Sequence, residues 1–316
     1  MNEYIQTFLN GYSGYWNYLV NEIIHPGWPN YFYTLIGISL LVWMLELLFP
    51  WRKDQPIFRE DFWLDGFYLF FNYFLFSLIA YNAVSQVGVK AFTDFLGLFG
   101  ITNVVALNVA NLPAWSQLLI LFVVRDFIQW NIHRLLHHSP RLWEFHKVHH
   151  SVEQMGFAAH LRYHWMETVV YRTLEYLPLA MIGFGLKEFF IVHLFTLAVG
   201  HLNHANIYLP IGRLRYVFNS PQMHLWHHAE ELPSHNREGV NFGLTLSIWD
   251  YLFRTAYVPY EGSHVKLGFR GVKRFPKTFF GQVVYPFRQP APTPPNPLAQ
   301  PVNLPTPVRS VQQTRF

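Results

Sequence analysis

Two copies of the pattern His-x-x-His-His constrain this chain more than any other feature. A His-x-x-x-His pair precedes the first copy. The eight histidines that keep helical spacing form three groups: His133 and His137; His146, His149 and His150; and His224, His227 and His228. On an α-helix, positions i, i+3 and i+4 share one face, so each group should aim several imidazoles at one point.

Imidazole is the commonest side-chain metal ligand and suits iron, zinc, copper and nickel. Eight imidazoles exceed the needs of one ion, so the pattern predicts a two-metal site. Surface or pH-sensing histidines are the alternative, but they would not need this spacing. A carboxylate-bridged di-iron bundle would show Glu-x-x-His motifs. Nearly all ligand positions here are neutral imidazoles, a donor set that would suit dioxygen activation at metals with open positions.

The composition indicates a membrane protein. Hydrophobic residues make up 51% of the 316 residues and charged residues 13%, whereas soluble domains carry about 25% charged residues. No cysteine is present, which excludes disulfides, thiolate metal sites and cysteine nucleophiles. The net charge of +4 comes from scattered basic residues and does not favour nucleic-acid binding.

Apolar segments predict the membrane spans. Residues 31–50 and 67–84 are each long enough to cross a bilayer, and the basic residues after the first indicate a cytoplasmic end. Residues 85–112 are typical of an interfacial or re-entrant piece. A third helix should start near Pro113 and run toward His138. Residues 169–207 hold two apolar pieces that form either a tight hairpin or one bent crossing pair, and this places both histidine blocks on the cytoplasmic side.

The expected fold is therefore an all-α polytopic membrane protein. About four transmembrane helices would support a cytoplasmic helical cap that holds the histidine-rich dinuclear site. We divide the chain into an N-terminal membrane hairpin with an interfacial segment (1–112), a catalytic domain (113–288) and a proline-rich tail (289–316). Seven prolines within 289–305 predict disorder in that tail.

Several further polar residues are candidates for the site. Asp126 lies on the stripe of the third helix that carries His133, and a carboxylate at membrane depth is functional by default. We expect it to support another histidine or to line substrate access; a salt bridge is the alternative. His204 should complete the ligand set, whereas His201 is either a ligand or polar lining. His160 and His164 should face substrate or support ligands near Glu167.

Six motifs between Arg125 and Thr255 carry a resemblance to a known family. They are WNIHRLLH, LWEFHKVHHS, LRYHWME, HANIYLP, SPQMHLWHH and NFGLTLSIWDYLF. They resemble the fatty acid hydroxylase/sterol desaturase superfamily of integral-membrane non-heme di-iron oxygenases, in its bacterial sterol-desaturase-like branch. The resemblance implies metal ligands at His133, His137, His146, His149, His150, His204, His224, His227 and His228, with His201 as a further position.

The resemblance also implies two iron ions, dioxygen as co-substrate and an external electron donor of the ferredoxin or cytochrome type. Asn241, Trp249 and Asp250 match its closing motif and should buttress the histidine helices. The expected function is oxygen-dependent hydroxylation or desaturation of a lipid, such as a sterol or fatty acyl group. The alternative is a membrane metal-binding or metal-transport protein without oxygenase activity. A zinc hydrolase is disfavoured because no His-Glu-x-x-His motif is present.

Overall fold

Helices account for nearly all the regular structure of the chain. The computed structural model describes residues 2–27, 30–107, 109, 111–233 and 238–288. In these ranges the chain has no β-strand, only three isolated bridges. The predicted all-α class is confirmed. The predicted disordered tail lies outside the described residues.

Four helices form the N-terminal part. Helix α1 spans Glu3–Ile24 and α2 spans Tyr31–Leu48. Helix α1 was not predicted. Helix α3 spans Phe62–Phe70 and continues through two wider π-helical stretches, Phe71–Leu75 and Ser77–Tyr81, into α4 at Asn82–Gly97.

The remaining helices carry the histidines and their supports. Helix α5 begins directly after Pro113, as predicted, and the apolar stretch 169–207 forms a hairpin of two helices, α7 and α8, with Gly183 at the end of α7 in the left-handed conformation. The bounds are α5 Ala114–His138, α6 Pro140–His150, α7 Trp165–Ile182, α8 Leu186–His204, α9 Pro221–His227, α10 Ile248–Leu252 and α11 Phe279–Arg288.

Packing brings these helices around α5 and α8. Helix α5 contacts α6, α7 and α8, while α8 also contacts α2 and α9. Buried apolar residues of α1, α2, α8 and the π-helical stretch pack together. The histidine-bearing ends of α5, α6, α8 and α9 therefore meet in one place.

Among the residues that the structure describes, two helical stretches are long and apolar enough to cross a membrane by length and composition, namely Tyr31–Leu48 and Phe62–Ile79. On α2 the exposed side chains of Leu40, Met44 and Leu48 form one stripe at i, i+4 and i+8. An exposed apolar stripe of this kind fits contact with lipid. The count of four spans and the cytoplasmic position of the histidines remain predictions.

A buried ion-pair network joins α3 to the segment before α7. Arg162 donates to Asp61 at 2.7 Å and to Asp65 at 3.3 Å, and Asp65 also pairs with Arg59. Asp65 and Arg162 are fully buried. Two guanidiniums thus share one buried carboxylate, and removing its charge would leave them partly uncompensated.

We predict that Asp65→Asn lowers the free energy of unfolding by about 3 kcal/mol, because breaking a buried ion pair leaves an uncompensated charge. Thermal unfolding of the protein in detergent would measure the loss. Asp54→Asn is the matched control, since Asp54 is exposed. Equal melting temperatures for the two variants would contradict the structural importance of the network.

Candidate metal centre

The two His-x-x-His-His copies lie on short helices that start in the same way. Ser139 caps α6 by accepting a hydrogen bond from the backbone N–H of Leu142, and Ser220 caps α9 through Met223. A proline follows each serine at the first helical position, which suits proline because the N–H it lacks would have no helical partner. Each Ser-Pro start thus initiates a helix that ends in histidines.

The predicted ligand residues assemble into two groups in which the candidate ligand nitrogens lie within 4.8 Å of one another. The first histidine group consists of His133, His137, His146, His150 and His227. The second histidine group consists of His149, His204, His224 and His228. The groups adjoin, because the rings of His150 and His228 stack with centroids 4.4 Å apart.

Each His-x-x-His-His copy is divided between the two groups. In α6 the i, i+4 pair His146 and His150 belongs to the first group, and His149 belongs to the second. In α9 the assignment is reversed: the second group takes His224 and His228, and the first takes His227. Successive residues of a helix differ by about 100° in direction. We expected the histidines of each copy to aim at one point. Instead, each copy directs its histidines to two adjacent points.

Backbone carbonyls fix two rings of the first group. Nδ1 of His133 donates to the carbonyl of Phe242 at 2.8 Å, and Nδ1 of His227 donates to the carbonyl of Val240 at 2.7 Å. The carboxylate of Asp250 holds this loop by accepting from the backbone N–H groups of Phe242 and Gly243 at 2.9 and 2.8 Å. Asp250 therefore buttresses the site through the loop, as predicted.

In the second group, carbonyls set the tautomer of two rings. Nδ1 of His149 lies 3.1 Å from the carbonyl oxygen of Arg162, and Nδ1 of His204 lies 2.8 Å from that of Gly200. A carbonyl can only accept a hydrogen bond, so both rings carry their proton on Nδ1. Each neutral ring then presents a lone pair at Nε2.

These lone pairs face each other. Nε2 of His149 lies 3.3 Å from Nε2 of His204, which lies 2.8 Å from Nε2 of His224. Two such acceptors repel unless a cation lies between them. Nitrogens bound at about 2.1 Å to one ion and at right angles to each other would lie about 3 Å apart. The donor set fits a metal ion.

The first group shows a similar need for a partner. The buried Nε2 atoms of His137, His146, His150 and His227 have no hydrogen-bond partner in the described part of the chain. Buried polar nitrogens are normally satisfied. Four lone nitrogens directed into one small region thus fit a second ion.

Burial keeps these imidazoles neutral, which is the form that binds metal. Burial and the nearby His133 lower the pKa of His149 to about 3. Burial, followed by the neighbouring His149 and His224, holds the pKa of His228 well below its ordinary value. The groups can thus accept positively charged ions near neutral pH without first losing protons.

A cavity of about 400 Å³ opens onto both groups. His133 and His146 of the first group line it, as do His149, His204 and His224 of the second. Away from the histidines its wall is rich in tyrosine, with Tyr31, Tyr73, Tyr163, Tyr171 and Tyr176 among the lining residues. The site can therefore meet a sizeable bound molecule.

Two predicted site residues lie outside the histidine groups. His201 contacts Ser39 at 3.1 Å and His160 at 2.9 Å and belongs to neither group. Asp126 accepts hydrogen bonds from Trp249 at 3.0 Å and from the backbone N–H groups of Thr245 and Leu246. It fastens α5 to that segment, and its proposed role at substrate remains a prediction.

In the LRYHWME motif the residue that supports a histidine is Glu167, whereas the sequence predicted that role for His164 or His160. Nδ1 of His146 donates to the Glu167 carboxylate at 2.8 Å, and His164 caps the start of α7. Arg162 pairs with Asp61 and Asp65, which lie about a hundred residues earlier in the chain. No local sequence pattern connects these carboxylates with Arg162. His160 lies in the cavity wall, which fits its predicted substrate-facing position.

The fold and site define a helical protein with two adjacent groups of histidines that could bind metal, next to a large cavity. Comparison of the sequence with protein families agrees. Residues 118–255 match the family model described as Fatty acid hydroxylase, within the predicted 113–288 domain. The predicted resemblance to the superfamily is confirmed.

Its relatives include lipid hydroxylases and monooxygenases. The chain is 33% identical over 175 residues to ornithine lipid hydroxylase OlsE of Rhizobium tropici, covering 55% of this chain and 51% of that protein. It is 28% identical to alkylglycerol monooxygenase of Caenorhabditis elegans over 45% of this chain and 27% of that protein. It is 26% identical to methylsterol monooxygenase 1 of Rattus norvegicus over 69% of this chain and 70% of that protein.

The match spans about half the length of OlsE and less of the alkylglycerol monooxygenase. No solved structure matches this chain.

We predict that Glu167→Ala weakens metal binding at the first histidine group about tenfold to a hundredfold, because the partner that orients His146 is lost. Metal retained per chain against a competing chelator would measure this. Glu144→Ala is the control, since Glu144 pairs with Lys147 on the same helix as His146. Equal retention by the two variants would contradict the role of Glu167.

Proposed function

We propose that this protein is a membrane-bound oxidoreductase that uses dioxygen to hydroxylate or desaturate a lipid. The observation that carries the proposal is the pair of adjacent histidine groups, members of which line a cavity of about 400 Å³. The names of the relatives, which are lipid hydroxylases and monooxygenases, support oxygenation of a lipid.

We infer that two iron ions bind, one at each group, and supply dioxygen activation and oxidation of an unactivated C–H bond. The imidazoles would hold them without adding negative charge. An external donor of the ferredoxin or cytochrome type would deliver electrons. Iron is chosen over zinc because of the family resemblance, since imidazole suits both metals.

The residues around the site would bind and orient the lipid. The cavity wall supplies aromatic faces for an apolar chain. The carbonyls of Phe242, Val240 and Arg162 would hold the imidazoles in one tautomer and one orientation throughout. Burial of both groups would exclude bulk water from the reacting C–H bond.

The membrane arrangement is part of the proposal. About four spans, with the histidines on the cytoplasmic side, would let a lipid reach the cavity from the bilayer and an electron donor reach the site from the cytoplasm. The exposed apolar stripe on α2 supports contact with lipid.

Purified protein should contain close to two iron ions per chain, since each histidine group offers four or more nitrogens. Elemental analysis would measure the content. His204→Ala should lower it toward one, whereas His264→Ala, at an exposed position, should leave it unchanged. A wild-type content of one metal or none would rule out the dinuclear site.

His149→Ala should abolish oxygen-dependent lipid modification by removing a ligand, while membrane insertion remains intact. Comparative lipidomics of cells that carry the wild type, the variant or neither, grown under air, would test this. One added oxygen indicates hydroxylation, and two lost hydrogens indicate desaturation. Full activity in the variant would refute the ligand assignment, and bound metal without any change in lipids would favour the metal-binding or transport alternative.

A further inference from the structure

The two arginines that line the cavity have different surroundings. Arg125 of α5 pairs with the buried carboxylate of Glu175 and donates to the hydroxyl of Thr196 at 2.9 Å. Arg172 of α7 also lines the cavity. In the part of the chain that the structure describes, it takes part in no ion pair.

Tyrosines surround Arg172 instead of carboxylates. Its guanidinium carbon lies 4.8 Å from the ring centroid of Tyr81. It also interacts electrostatically with Tyr176, Tyr163 and Tyr15, three tyrosines that line the cavity. Phenolic hydroxyls can donate hydrogen bonds, as a guanidinium does.

The nearest acidic neighbour on the same helix is already occupied. One oxygen of Glu175 accepts from Arg125, and the other accepts from Gln129 at 2.8 Å. Both carboxylate oxygens of Glu175 therefore already accept hydrogen bonds from residues of α5. Arg172 is half-buried, and an unpaired guanidinium that is partly removed from water costs free energy unless an anion compensates it.

We propose that Arg172 and the surrounding tyrosines bind an anionic oxygen group, a carboxylate or a phosphate, of the lipid substrate. The planar fork of arginine suits both groups because it can donate two parallel hydrogen bonds. The identification of the ligand as the substrate rests on the proposed function; the anion site itself rests on the cavity.

The anion site and the histidines lie within reach of one molecule. Glu167, which contacts His146, and Arg172 are five residues apart on α7. This spacing corresponds to about 7.5 Å along the helix axis. Arg172, Glu167 and His146 all line the same cavity, so a lipid whose anionic group contacts Arg172 would share that cavity with the histidine groups.

Binding measurements on the full-length protein in detergent test the proposal without requiring turnover. The probes are N-oleoylglycine against its methyl ester, for a carboxylate, and dioleoyl phosphatidic acid against dioleoylglycerol, for a phosphate. We expect the wild type to bind at least one anionic probe about tenfold more tightly than its uncharged counterpart, the typical size of a charge-assisted interaction. The arm with the preference identifies the anionic group.

Arg172→Gln should abolish the preference, while Arg270→Gln should retain it, since Arg270 is exposed and does not line the cavity. A metal content equal to that of the wild type would show that Arg172→Gln is folded. If Arg172→Gln loses its metal, Arg172→Lys tests the proposal instead. A single ammonium cannot donate the two parallel hydrogen bonds of a guanidinium, so this variant should bind the anionic probe severalfold more weakly than the wild type.

A wild type without preference in either arm, a preference that survives Arg172→Gln, or unchanged affinity in Arg172→Lys would overturn the anion site. Failure of the proposed function would look different. The wild type would then modify no lipid in cells. The binding preference would be judged separately, because its measurement does not require turnover.

Discussion

Imidazole nitrogens that face each other without protons between them define the centre of this structure. His149 and His204 each commit the Nδ1 proton to a carbonyl, so their Nε2 lone pairs meet at 3.3 Å. Such an arrangement is unfavourable for the protein alone and favourable around a cation. Much of the surrounding structure serves to hold these rings in place against their mutual repulsion.

The supports come from distant parts of the chain. The loop at Val240–Phe242 holds two rings and is itself held by Asp250. Arg162, which presents a carbonyl to His149, is anchored by Asp61 and Asp65 of the α3 region. The N-terminal part of the chain thus contributes to the site, because its carboxylates position a residue that contacts a candidate ligand.

The cavity links this centre to the proposed chemistry. Histidines form one part of its wall, and tyrosines with two arginines form another. Arg125 pairs with Glu175, whereas Arg172 forms no ion pair with any residue that the structure describes. The proposed anion site rests on this difference between the two arginines, and it would restrict the proposed oxidoreductase to lipids that carry an anionic group.

Helical spacing explains both the successes and the limits of prediction from sequence. Pro113 predicted the start of α5, and the apolar runs predicted that residues 169–207 form a hairpin or one bent crossing pair, because those signals are local. Helix α1 was missed, since aromatic and turn-forming residues obscured its pattern. The position of Asp126 on the histidine-bearing face of α5 did not reveal its role, because its hydrogen-bond partners lie about 120 residues later in the chain.

The sequence by itself determined the all-α class, the histidines that gather in the two groups, and the likeness to fatty acid hydroxylases, since all of these depend on local spacing and motif. Only the tertiary structure decided how the histidines are shared. Each His-x-x-His-His copy serves both groups because consecutive residues point about 100° apart, and which group each ring joins depends on where α5, α8 and the opposite copy pack. The same packing left Arg172 among tyrosines, which no local pattern indicates.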